Sequence, residues 1–129
     1  MHCHFILYTA DAESSRRFYE TTLGRPPRLH VPGMTEFELA SGAVLGLMPE
    51  ARIKALLGDA LPDPTAGRGV PRAELYLVVD DPGAFHARAL AAGAAELSPL
   101  LPRNWGHVAA YSLDPDGHVL AFAAPAAGR

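Results

Sequence analysis

One pattern is written twice along this chain: an apolar strand, a helix opened by aspartate and closed by glycine, then three more strands. In the first copy His2 to Tyr8 is aromatic and β-branched, which reads as a strand. Asp11 can cap a helix that runs through Phe18 and Tyr19 to Leu23, and Gly24 supplies the stop. Strands are predicted at about 28–31, 35–40 and 43–48, the last two joined by a Ser41-Gly42 turn. In the second copy the strand is Glu74 to Val79. Asp80 or Asp81 caps a helix whose first position is Pro82, and Gly93 ends it. Strands follow at about 95–99, 107–113 and 118–123, and Asp114-Pro115-Asp116-Gly117 turns the chain between the last two. Asp11 to Gly24 is thirteen residues, and so is Asp80 to Gly93.

One such unit lays a single helix over a small sheet and leaves the other face bare. Two units together cover more of that surface and leave a cleft between them. The expected fold is therefore α+β, with two tandem β-α-β-β-β modules forming a curved mixed sheet around a cleft. A single domain spans 1–129: a first module at 1–48, a linker at 49–72, a second module at 73–123 and a frayed tail at 124–129. Within the linker, Ala51 to Leu57 is predicted as a short helix with Ile53, Leu56 and Leu57 on one side. Leu61 to Gly69 is rich in Pro and Gly and reads as irregular. A linker of this length reaches a module of the same chain or of a second copy, and open sheet edges lead to the expectation of a homodimer.

The totals exclude several classes. A net charge of −3 with scattered Lys and Arg gives no footprint for nucleic acid or an anionic membrane. Nothing approaches the roughly 18 apolar residues of a membrane span, and no export signal is visible, so the cytoplasm is the expected compartment. Cys3 is the single cysteine and is expected to be a small buried residue of the first strand.

Side chains alternate along a strand, which sorts the candidates. Cys3, Phe5 and Leu7 should meet the helix, leaving His2, His4, Ile6 and Tyr8 on the face toward the cleft. In the second module Leu75, Leu77 and Val79 turn inward, leaving Glu74, Tyr76 and Val78 opposite. His4 and Glu74 are thus candidate cleft residues, each favouring the other's charged form if they meet. If Gly46 and Ala121 also face the cleft, small side chains there make room for a ligand. Trp105, Tyr76, Tyr111 and Met48 supply an apolar, aromatic wall suited to a planar molecule. No nucleophile elbow or phosphate-cradling loop is present, and Asp114 and Asp116 read as turn residues, so no catalytic residue is assigned.

Phe18-Tyr19-x-x-x-Leu23-Gly24, Val78-Val79-Asp80-Asp81 and Asp114-Pro115-Asp116-Gly117-His118, in this order and spacing, are similar to motifs of a known family. The chain resembles the vicinal oxygen chelate superfamily from about residue 2 to 123. That superfamily includes glyoxalase I, fosfomycin-resistance enzymes, extradiol dioxygenases and bleomycin-resistance binding proteins. The resemblance implies divalent-metal ligands on the first and fourth strands of each module, which map to His4, Gly46, Glu74 and Ala121. Gly46 and Ala121 have no donor atom, so the site reads as vestigial, with no metal and no cofactor expected. Replacement ligands from His2, Glu38 or His107 would need a new geometry.

The leading expectation is a metal-free protein that binds a small planar or amphipathic molecule through His4, Met48, Glu74, Tyr76, Trp105 and Tyr111. The alternative is a metal-dependent lyase or isomerase, transferase or dioxygenase of the same superfamily with an altered ligand set. A third reading is a scaffold whose cleft is filled by its own side chains.

Overall fold

A computed structural model describes residues 1–127. The first module runs β1 (Cys3–Thr9), α1 (Ala12–Leu23), β2 (Leu29–Val31), β3 (Met34–Ala40) and β4 (Ala43–Pro49). After the linker come β5 (Glu74–Val78), α3 (Pro82–Ala91), β6 (Ala95–Pro102), β7 (His107–Leu113) and β8 (Val119–Pro125). The eight strands form two mixed sheets ordered β1-β4-β3-β2 and β5-β8-β7-β6. In each, the first strand runs parallel to the fourth and the rest pair antiparallel.

The local signals act as read. Asp11 Oδ1 accepts the Ser14 N–H at 3.0 Å, satisfying a free donor at the start of α1, and Gly24 closes that helix at φ 72°. Of the two aspartates before α3 it is Asp81 that caps, accepting the Ala84 N–H. The expected tail is shorter than drawn, since Ala124 and Pro125 continue β8 against Val108 and His107. Gly128 and Arg129 lie outside the described residues.

The linker corrects two expectations. Its helix, α2 (Glu50–Leu57), buries Ile53 but leaves Leu56 and Leu57 exposed, because β4 is the strand it packs on and reaches one side only. The segment read as irregular contains a 3-10 turn, Pro64–Gly67, capped by Asp63 through the Thr65 N–H. Lys54 Nζ ties the segment down by donating to the carbonyls of Gly58 (3.1 Å) and Leu61 (2.5 Å), and Arg68 pairs with the buried carboxylate of Glu50.

The helices α1 and α3 pack against each other, and one core runs through both modules: Leu7, Phe18, Tyr19, Phe37, Leu45 and Leu47 continue into Leu75, Leu120 and Phe122. Cys3 is exposed, contrary to expectation, and Phe5 is half-exposed. The cause is position: β1 ends its sheet, and α1 lies toward β4 and α3. A polar seam closes the joint. Tyr19 donates to Asp114 Oδ2 at 2.5 Å, the Ala10 N–H donates to Asp116 Oδ1 at 2.8 Å, and His118 Nε2 donates to the Tyr8 carbonyl at 3.1 Å.

Candidate functional site

The residues singled out from sequence fall into two groups. On the second sheet Tyr76, Ala121 and Tyr111 stand on one rung across β5, β8 and β7, so the two tyrosines flank the fully buried Ala121. The Tyr76 hydroxyl bonds His107 Nδ1 at 2.6 Å and accepts the Trp105 indole N–H at 3.0 Å. The Tyr76 and His107 rings stack 5.8 Å apart, and the Arg103 guanidinium lies 5.1 Å from the Tyr111 ring centre. Burial first, then the Glu74 carboxylate, pushes the Tyr111 phenol above its ordinary pKa. Glu74, Tyr76, Trp105 and Tyr111 are thereby brought to one aromatic face. His107 belongs with them; its even spacing from Tyr111 on β7 was the signal that would have placed it there.

On the first sheet, His4 Nδ1 lies 3.5 Å from Glu36 Oε2. Glu36 also takes Arg28 through Nε at 3.0 Å and Nη2 at 2.9 Å. Sequence reading missed Glu36, which sits beside Gly46 in the β3–β4 register. Gly46 offers no room for a ligand: a Cβ there would lie 3.0 Å from Ile6 Cγ1 and 3.3 Å from Met34 Sδ, so those side chains already fill the space. Met48 pairs with Tyr8 at the far end of the strand. Among the described residues no ion pair joins His4 to Glu74.

A cavity of about 540 Å³ opens elsewhere, between the modules. Phe5, Ile6 and Tyr8 of β1 form one wall, Leu61 and Pro62 of the linker another, and Ala73 and His118 of the second module the third. Residues of both strand parities line it, so it runs along the unpaired edge of β1. The six residues expected to hold a ligand do not line it. The linker's path creates this wall, and no periodicity in the sequence encodes that path.

A profile of the Glyoxalase/Bleomycin resistance protein/Dioxygenase superfamily matches residues 3–122. The chain belongs to that superfamily. A glyoxalase-related enzyme from Fulvimarina pelagi is 26% identical, with a TM-score of 0.81 over 96% of this chain and 87% of that one. A protein from Agrobacterium tumefaciens is 27% identical, with a TM-score of 0.72 over 95% of each chain. A glyoxalase/bleomycin resistance protein/dioxygenase from Nocardioides, 23% identical with a TM-score of 0.79 over 100% of this chain and 85% of that one, shares the fold. No functionally curated protein matches the sequence. In the described residues no helix is long and apolar enough to cross a membrane.

The divalent metal associated with this superfamily does not fit the residues present. Ala121 and Gly46 have no donor, Glu36 is occupied by Arg28, and no three His, Cys, Asp or Glu side chains converge among the described residues.

Proposed function

We propose that the protein is a metal-free, small-molecule-binding member of its superfamily, acting as a homodimer, with its ligand between the modules. The observation that carries this reading is the inter-module cavity. Its volume of about 540 Å³ falls in the range of small-molecule sites, and its walls are apolar with few polar groups. The aromatic face around Tyr76 and Trp105 is a second contact surface for a planar ligand.

The test is native mass spectrometry of the purified protein, set beside an Ala66→Trp variant. Ala66 is exposed and lines the cavity, so an indole there occupies the space without disturbing the core. We expect a small molecule retained by the wild type and lost from the variant, with the circular dichroism spectrum unchanged. Retention by neither protein, or equal retention by both, overturns the reading.

One observation favours the alternative of a metal-dependent lyase or isomerase, transferase or dioxygenase. His4 and Glu36 stand 3.5 Å apart on a sheet face, as a ligand pair would, and the relative from Fulvimarina pelagi is described as an enzyme. Elemental analysis finding about one transition metal per chain, lost in His4→Ala, would establish that alternative.

A further inference from the structure

Four ionisable side chains line the inter-module cavity: Tyr8, whose phenol is neutral at ordinary pH, Asp63, His118 and Arg72. Two are already committed. Asp63 Oδ1 accepts the Thr65 N–H at 3.0 Å and the Thr65 hydroxyl at 2.9 Å. Those bonds first, with Lys54 and Arg68 further off, hold its carboxyl below the usual pKa. The buried His118 imidazole spends Nε2 on the Tyr8 carbonyl, and its Nδ1 is sealed from solvent, beyond a ligand's reach.

Arg72 differs from both. Among the described residues its guanidinium makes no hydrogen bond or ion pair, although Arg16, Arg28 and Arg68 all pair with glutamates. Its side chain has a defined place in the structure. It lies across the linker at Gly67, where a Cβ would fall on Nη1 and within 2.7 Å of Cδ. The missing side chain at Gly67 leaves a seat for the guanidinium at the cavity wall. Arg72 also borders a neighbouring groove with Asp116, whose Oδ1 is taken by the Ala10 N–H.

We propose that the cavity takes an amphipathic organic anion, with an apolar or aromatic body against Phe5, Ile6 and Leu61 and a carboxylate or sulfonate on Arg72. This rests on the cavity reading given above and deepens it by naming the ligand class. An apolar cavity whose free charged group is a cation selects an anionic head, because the guanidinium fork matches a planar or tripodal oxyanion.

Fluorescence titration with two probes of the same aromatic body tests this: 8-anilinonaphthalene-1-sulfonate and uncharged N-phenyl-1-naphthylamine. Both should bind the wild type saturably and lose binding in Ala66→Trp. Arg72→Ala should weaken the sulfonate probe roughly tenfold or more and leave the uncharged probe within about twofold. Gly67→Ala, which displaces the guanidinium without changing charge, should weaken the sulfonate probe in the same direction. Arg17→Ala, an equal charge change on the exposed face of α1, should not. Loss of both probes in Arg72→Ala, loss of neither, or an equal effect of Arg17→Ala overturns the anion assignment while leaving the cavity reading in place. Failure of the uncharged probe to bind the wild type, or its indifference to Ala66→Trp, removes the cavity reading and the anion assignment together.

Discussion

Asp114 shows how much one turn residue can hold. Its Oδ1 accepts the backbone N–H groups of Asp116 and His118, both at 2.9 Å, which shapes the β7–β8 turn, and its Oδ2 accepts the Tyr19 hydroxyl. Burial raises the Asp114 pKa above the ordinary carboxylate value, although the Tyr19 bond opposes the shift. A raised pKa means the folded chain holds its proton to higher pH than the unfolded one. This contribution is greatest below the unfolded value of about 3.9 and declines as pH rises toward the folded value. Asparagine mimics the protonated form. The stability of the wild type relative to Asp114→Asn should therefore fall as pH rises through that interval, measured by urea unfolding at each pH. A difference that does not change with pH would show that Asp114 titrates normally. Tyr19→Phe should cost about 1–3 kcal/mol at neutral pH, since it leaves a buried acceptor short of a donor, and less in acid. An unchanged denaturation midpoint would show that the seam contributes little there.

Among the elements, the helices and hairpins are those the sequence makes plain. Asp11 and Gly24 bracket α1 with atoms a few residues away, so local chemistry alone sets its ends. Leu7 and Leu75 reach the core as their parity demands. The failures share one physical origin, which is dependence on distant neighbours. Cys3 is exposed because of where β1 stands in its sheet, and Glu36 finds His4 and Arg28 only through strand register. Lys54, Asp63 and Arg68 tie down the linker, which forms one wall of the cavity beside β1. Removing one tie tests that account. Lys54→Met should speed amide exchange and limited proteolysis across residues 58–69 while leaving exchange in β4 and β8 unchanged. Exchange unaltered in the linker would mean that the two carbonyl contacts of Lys54 do not hold it.

At the scale of the whole molecule, four strands are left without a second neighbour among the described residues: β1, β2, β5 and β6 each end a sheet. β1 borders the cavity, and the other three carry exposed apolar side chains away from it: Leu29 and Val31 on β2, Val78 on β5, Leu97 and Leu101 on β6. Free edges of this kind invite pairing, and two-fold association covers them at the lowest cost in new surface. Light scattering at micromolar concentration should give twice the 13.7 kDa mass of the chain. A mass of one chain at that concentration would leave the edges to be protected some other way.

The seam formed by Tyr8, Ala10 and Tyr19 with Asp114, Asp116 and His118 joins residues about a hundred positions apart in the chain. The entropic cost of closing a loop grows only slowly with its length, and the linker between the modules takes no part in the seam. Each half already carries its share of the contacts. Severing the backbone between them, at Gly69 for instance, should yield two fragments that find each other from solution and rebuild the same joint. Such fragments would serve as a split reporter, held by three hydrogen bonds and a shared core in place of the peptide bond between the halves; fragments that stay apart in solution would show that these contacts do not suffice.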